Sequence, residues 1–104
     1  MKKQYLAPMN YFGVIQYIFV EGKSEEVDNL VIIKNINSLS SNLYQIIDIP
    51  SGLKVKGFRT LKDAKYFFSH IDKLKDAIEK ARSTDTYKKR VEELSIELEA
   101  KRSV

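Results

Sequence analysis

The clearest hydrophobic pattern in the chain lies between residues 57 and 81. Apolar residues recur there at helical spacing, at Leu61, Ala64, Phe67, Phe68, Ile71, Leu74, Ile78 and Ala81. At about 100° per residue they fall on one arc of roughly 160°, which predicts one long amphipathic helix. Thr60, with Asp63 three residues later, has the spacing of a capping box and marks the start of this helix.

Four shorter segments ahead of the helix have the composition of β-strands, because β-branched and aromatic residues dominate them. They are residues 13–20, 30–36, 43–49 and 53–58. Turn formers separate them at residues 21–26 and 37–42 and at Pro50-Ser51-Gly52. Residues 1–12, with Pro8 and Asn10 among aromatics, predict a lead-in that packs on the sheet.

The fold class predicted from these elements is α+β. Short connections favour antiparallel neighbours, so the strands form an antiparallel β-meander of about four strands packed on the long amphipathic helix. In the last strand Lys54 and Lys56 are expected to share one face, with Leu53 and Val55 on the other.

A second helix is predicted after an interruption at residues 82–86, which are rich in cap formers. It covers residues 87–102, and its apolar positions form a narrow seam at spacings of four, three and four: Tyr87, Val91, Leu94 and Leu98. The seam needs a partner, which is the first helix in a hairpin, the same helix of a second subunit, or a foreign protein. Without the interruption, residues 61–101 would form one helix of about 60 Å. We assign residues 1–82 to a sheet-plus-helix unit and residues 83–104 to the C-terminal helix, within one domain overall.

Composition narrows the classes of protein. The 104 residues include no cysteine and one histidine, which excludes disulfides and thiolate zinc sites and leaves no metal or cofactor expected. The apolar runs are far shorter than the roughly 20 residues that cross a bilayer, so no membrane partner is expected. Pro8, Asn10 and Gln16 do not suit a signal peptide, so we expect a soluble, cytoplasmic protein.

Candidate catalytic groups are sparse. The only histidine, His70, has no acid at a spacing that would orient it, and a surface histidine is the simpler interpretation. The carboxylate pairs at 25–26 and 92–93 lie in a turn and on an exposed helix, and the four glycines form no phosphate-binding loop. We therefore expect no catalytic or cofactor-binding residues and no enzyme activity.

Basic residues give the stronger functional signal. The net charge is +4, and residues 53–104 carry the excess. The candidate residues for binding a partner or nucleic acid are Lys54, Lys56, Arg59, Lys62, Lys65, Tyr66 and Lys73. A tyrosine among ammonium groups could stack on a base or contact an acidic protein, although an ordinary solvated helix face has the same composition.

The segment GFRTLKDAKYFF, a strand end that enters a helix, resembles one common in small accessory proteins of phages and mobile elements. The composition, rich in Ile, Lys and Asn, is similar to that of proteins from low-GC Gram-positive hosts. The resemblance implies a protein that binds host machinery stoichiometrically, as anti-CRISPR and anti-restriction proteins do, in the cytoplasm of a bacterial cell.

Three hypotheses for function follow. The first is a non-enzymatic inhibitor or adaptor of a host protein or ribonucleoprotein complex, such as a CRISPR effector nuclease. A basic chain does not suit nucleic-acid mimicry, so an allosteric or dimerisation-blocking mode fits better. The second is a small nucleic-acid-binding protein that uses the surface between Lys54 and Lys80. The third is an assembly subunit, a homodimer held by the C-terminal seam.

Overall fold

The strand-forming residues of the first half build two antiparallel sheets. The computed structural model describes residues 3–35 and 41–102. A two-stranded sheet consists of β1 (Gln4–Tyr11) and β2 (Val14–Glu21). A three-stranded sheet contains β3 (Leu30–Lys34), β4 (Tyr44–Asp48) and β5 (Lys54–Phe58), in that order. The α+β class and the antiparallel pairing are confirmed, whereas the single four-stranded meander is wrong. Most of the predicted loop at 37–42 lies outside the described residues.

The additional strand is β1, which occupies the predicted lead-in. It pairs with β2 from Gln4 opposite Glu21 to Tyr11 opposite Val14. The turn between them consists of Phe12 and Gly13, both with positive φ, at 50° and 80°. A two-residue turn with positive φ at both positions matches the right-handed twist of the flanking strands. Asparagine, aspartate or glycine usually indicates such a turn in a sequence, and phenylalanine does not. Pro8 is tolerated because a strand at a sheet edge can lack one backbone donor.

The predicted long helix is divided in two. The chain forms α1 (Leu61–Phe68), a 3₁₀ turn (Ile71–Leu74) and α2 (Lys75–Arg82). The start is confirmed, since the Thr60 hydroxyl accepts a hydrogen bond of 3.1 Å from the amide of Asp63. The helix ends where the Ser69 hydroxyl and His70 Nδ1 lie 2.9 and 2.8 Å from the carbonyl oxygen of Tyr66. These side chains occupy a carbonyl that a continuing helix would use for its own backbone.

The predicted interruption at residues 82–86 is confirmed but is shorter, because only Ser83 and Thr84 separate α2 from α3 (Asp85–Arg102). The Thr84 hydroxyl accepts a hydrogen bond from the amide of Tyr87, which supports the first turn of α3. The single helix over 61–101 therefore does not form.

One face of the three-stranded sheet packs on α1, the 3₁₀ turn and α2, as predicted. Its buried core consists of Leu30, Ile32, Ile46, Phe58, Ala64, Phe68, Leu74 and Ile78. The apolar periodicity continues across the helix break because the 3₁₀ turn keeps Leu74 on the buried side.

The opposite face of the same sheet is covered by the inner face of the β1–β2 hairpin, which the sequence analysis did not predict. This second core consists of Tyr5, Ala7, Val20, Val31, Ile33 and Ile47. As a result β3 is covered on both sides, and Leu30 through Ile33 are each 0% exposed.

The C-terminal helix lies against the outer face of the hairpin. The Tyr17 hydroxyl donates a 2.8 Å hydrogen bond to Glu93, and the Lys101 ammonium lies 6.0 Å from the ring centroid of Phe19. Tyr17 and Phe19 stand on the side of β2 that faces away from the second core. The chain is therefore layered in the order α1/α2, three-stranded sheet, hairpin, α3.

Candidate binding surface

Two of the predicted basic residues lie on β5, where a bulge separates them. Lys56 pairs with Ile46 and Lys54 with Ile47, and the register shifts between the two pairs. Val55 packs on the core beneath α1 and α2, the same side on which the Lys56 ammonium lies 4.7 Å from the ring centroid of Phe67. The predicted placement of Val55 on the face opposite Lys56 is therefore wrong, because the extra residue of a bulge changes the alternation.

The ring of Tyr66 is the centre of the surface next to Lys56. It meets the Phe67 ring edge-on at a centroid distance of 5.4 Å and lies 4.6 Å from the His70 ring. Lys73 donates a 3.0 Å hydrogen bond to the Tyr66 hydroxyl, and its ammonium lies 5.2 Å from the ring centroid. This hydrogen bond is the main cause that raises the pKa of Lys73, so the ammonium keeps its charge.

We call this set the aromatic–basic surface; it consists of Lys56, Tyr66, Phe67, His70 and Lys73. Cations and rings alternate along it, and each exposed cation–ring contact is worth about 0.5–1 kcal/mol. The contacts hold the long lysine side chains over the rings, so less conformational entropy remains to be lost when a ligand binds. Tyr66 is 48% exposed, so one part of its ring is open to a partner.

The other predicted binding residues are distributed around this surface. Arg59 and Lys62 are exposed at the start of α1. Lys65 instead lines a cleft of about 770 Å³ beside Lys3 and Tyr5, and Lys54 lines another on the α2 side beside Lys80. The structure thus brings Lys56, Tyr66 and Lys73 into one contact network and places Lys54 and Lys65 in separate clefts.

Sequence reasoning missed two members of the surface, Phe67 and His70. Phe67 was assigned to the buried arc, but it is only partly buried and lies under Lys56. His70 is exposed, in agreement with the interpretation as a surface histidine, and its place against Tyr66 follows from the helix end. The only signal for this end was Ser69, whose hydroxyl competes for helix carbonyls.

A second group of polar residues is buried at the end of β4. The Asp48 carboxylate, 0% exposed, accepts hydrogen bonds from the amide and hydroxyl of Ser51 and from Arg82 Nε at 2.9 Å. Arg82 also donates to the carbonyl oxygen of Asp28. Burial acts to lower the pKa of Arg82, but the hydrogen bond and charge of Asp48 outweigh it and raise the pKa. These hydrogen bonds join segments of the same chain, which is the arrangement of a structural connection.

The predicted seam on α3 faces the hairpin of the same chain. Leu94 is buried, and Val91, Leu94 and Leu98 border a cleft of about 390 Å³ together with Leu6 and Pro50. Tyr87 stands near Asp48; burial raises the pKa of its hydroxyl, and the Asp48 charge adds to the rise. The β1–β2 hairpin covers Leu94 in this fold. It was not among the three predicted partners of the seam, which were the first helix, the same helix of a second subunit and a foreign protein.

Within residues 3–35 and 41–102, no three His, Cys, Asp or Glu side chains are grouped so that they could hold a metal ion. None of the helices described is long and apolar enough to cross a membrane. Comparison with protein-family models, with curated proteins and with solved structures found no match to this chain.

Proposed function

We propose that this chain is a non-enzymatic binding protein that inhibits or redirects a host protein machine, in the manner of anti-CRISPR proteins. We further propose that it engages this partner through the aromatic–basic surface. The observation that carries the proposal is the contact network in which Lys56, Phe67, Tyr66 and Lys73 present cations and a half-exposed ring side by side.

The chemistry of the surface favours a ribonucleoprotein as the partner. Ammonium groups neutralise phosphates or surface carboxylates, and an aromatic ring adds about 1–3 kcal/mol for each base that stacks on it. An inhibitor that imitates nucleic acid would carry an acidic surface, whereas this chain has a net charge of +4. Contact with the exposed nucleic acid of the complex, or with an acidic protein surface beside it, fits this charge better than occupation of a basic channel.

A second candidate is binding to free nucleic acid, with no protein partner. The half-exposed Tyr66 ring beside Lys73 favours it, since stacking on a single strand needs only an accessible ring and nearby cations. Lys54 and Lys80, part of the surface first predicted for this role, lie in the cleft on the α2 side.

The test is a pull-down from host-cell lysate with the purified chain, with and without nuclease treatment, at moderate and at high salt. We expect one defined protein or ribonucleoprotein to remain after nuclease treatment. Recovery of nucleic acid alone, lost at high salt, would replace the first proposal by the second, because counterion release makes such binding fall steeply with salt.

Variants connect the result to the surface. Tyr66→Ala and the pair Lys56→Gln with Lys73→Gln should each lower affinity for the recovered partner about tenfold or more, given roughly 1–3 kcal/mol per stacked or charged contact. The matched control is Lys88→Gln with Lys89→Gln, which removes two exposed charges from α3. Equal binding by all variants would show that the partner is held elsewhere on the chain.

A further inference from the structure

The lysines of the aromatic–basic surface contact rings and leave their charges available. The Lys56 ammonium lies 5.8 Å from the ring centroid of Phe58 and 4.7 Å from that of Phe67. Lys73 donates a hydrogen bond to the Tyr66 hydroxyl, which leaves two of its three N–H donors for a ligand. Across residues 3–35 and 41–102, neither ammonium forms an ion pair with a carboxylate. Both lysines can therefore bind an anionic group without first breaking a salt bridge.

Tyr66 presents accessible ring surface beside these charges. The His70 ring stacks against it, with centroids 4.6 Å apart and planes 33° from parallel, and His70 Nδ1 lies 2.8 Å from the Tyr66 carbonyl oxygen. Lys73 is placed at the hydroxyl end, 3.0 Å from the oxygen but 5.2 Å from the centroid. Because 48% of Tyr66 is still exposed, part of a ring held by its neighbours remains open to one further flat group.

The region around Tyr66 has a positive balance of charge. Residues 56–73 contain five cations and two acids. Lys65 lines a separate cleft, but the other four cations still outnumber the acids. Lys62 is exposed one helical turn before Tyr66, on the same side of α1. The two acids are Asp63 and Asp72. An anionic ligand is therefore attracted to the surface that holds the open ring.

We infer that the aromatic–basic surface binds an unpaired stretch of a nucleic-acid strand, with one base stacked on Tyr66 and phosphates on Lys56 and Lys73. This inference rests on the proposed function and names the part of the partner that touches the surface. A single strand alternates phosphates with flat bases, as this surface alternates cations with rings. A double helix keeps its base faces within its own stack, and carboxylates of an acidic protein alone would leave the ring uncovered.

Fluorescence anisotropy of a labelled oligothymidylate, titrated with the full chain, tests the inference. The matched ligand is an abasic strand of the same length, which carries the same phosphates and no bases. We expect the oligothymidylate to bind about fivefold or more tightly than the abasic strand, which is the contribution of one stacked base. Tyr66→Leu should remove this difference, and it should leave binding to a duplex of the same length unchanged.

Variants separate stacking from charge. Tyr66→Leu removes the ring at an exposed position, so the slope of log affinity against log salt should stay that of the wild-type chain. Lys56→Gln with Lys73→Gln should make the slope shallower by about 1.4, since each phosphate of a single strand contributes about 0.7. Tyr66→Phe keeps the ring and should retain most of the affinity. Lys88→Gln with Lys89→Gln is the charge-matched control on α3 and should leave affinity and slope close to those of the wild-type chain.

Three results would overturn the inference: no binding of the oligothymidylate, equal affinity for the abasic strand, or oligothymidylate binding that Tyr66→Leu leaves unchanged. The pull-down distinguishes such a failure from a failure of the proposed function. If the recovered partner needs Tyr66 and both lysines but is not displaced by excess oligothymidylate, the proposed function stands and the surface binds an acidic protein instead. Displacement by oligothymidylate and not by the abasic strand would support the inference.

Discussion

Replacing Arg82 by methionine isolates the contribution of the buried connection at the end of β4. The substitution removes the Nε–H bond to Asp48 at 2.9 Å and the bond to the Asp28 carbonyl at 2.8 Å. It also leaves the Asp48 carboxylate, which is 0% exposed, without its cationic partner. Methionine has a similar length and keeps the apolar part of the side chain in place.

The expected loss follows from these contacts. A hydrogen bond to a charged group is worth about 1.5–3 kcal/mol, and breaking a buried ion pair by removing one partner costs about 3–5 kcal/mol. The Arg82 side chain is 29% exposed, so water can partly take over its interactions with Asp48 in the variant. The expected loss of unfolding free energy is therefore below the upper end of the range for a buried ion pair. We expect a loss of about 2–4 kcal/mol, equivalent to a fall in melting temperature of roughly 10–20 °C for a domain of this size.

The assay is urea unfolding at neutral pH followed by circular dichroism, with Lys80→Met on the same helix as the control. Asp48→Asn and the double variant complete a double-mutant cycle. In Asp48→Asn an amide donor faces the Arg82 donor, and this conflict disappears in the double variant. We therefore expect the double variant to be more stable than additivity predicts, by about 1 kcal/mol or more.

Two results would refute this reasoning. One is a decrease in the free energy of unfolding of less than about 0.5 kcal/mol for Arg82→Met, as for a typical surface substitution. The other is strict additivity in the cycle, which would mean that Arg82 and Asp48 do not stabilise each other.

The remaining predictions concern Tyr5 and Thr60. Burial, followed by the hydrogen bond to Glu26, raises the pKa of Tyr5 from about 10 to about 12. The stability contributed by its neutral hydroxyl is therefore complete below pH 10 and is lost as pH rises towards 12. Unfolding measured across this range should show a shallower decline for Tyr5→Phe than for the wild-type chain, and equal slopes would contradict the assignment. Thr60→Ala removes the N-cap of α1 and should cost about 1 kcal/mol, with Thr60→Ser restoring most of it; an unchanged urea midpoint for Thr60→Ala would show that the cap contributes nothing.

The sequence was sufficient for elements whose signals are local. Short stretches of characteristic residue types and spacings predict three kinds of element: the cap at Thr60, the interruption before α3, and the strands β3, β4 and β5. The helix break at Ser69 was hidden because the spacing of Ala64, Phe68, Leu74 and Ile78 continues across it. Hydrophobic periodicity reports which side of a segment is buried, and a 3₁₀ turn can preserve that side.

The parts that could not be predicted depend on pairing at a distance. Nothing in residues 4–11 states that their partner is β2, and the turn that joins them contains Phe12 where asparagine would be the usual signal. The seam on α3 indicated correctly that Leu94 needs a partner surface, but the hairpin that covers it was unknown. Of the candidate surface, the lysines were visible as a cluster, while the β5 bulge that separates Lys54 from Lys56 has no reliable signature in one sequence.

The layered arrangement also determines when each apolar face of the β1–β2 hairpin becomes covered during synthesis. The β1–β2 hairpin leaves the ribosome before β3, β4 and α3, so its inner face stays uncovered until β3 and β4 emerge and its outer face until α3 emerges. During that interval an uncharged segment of strands, residues 4–20, is uncovered, with charges only at its borders, such as Lys3 and Glu21. Segments of this kind are where nascent chains associate wrongly, and flanking charges act as gatekeepers against it. Because α3 follows all five strands along the chain, its completion is the step that ends this exposure.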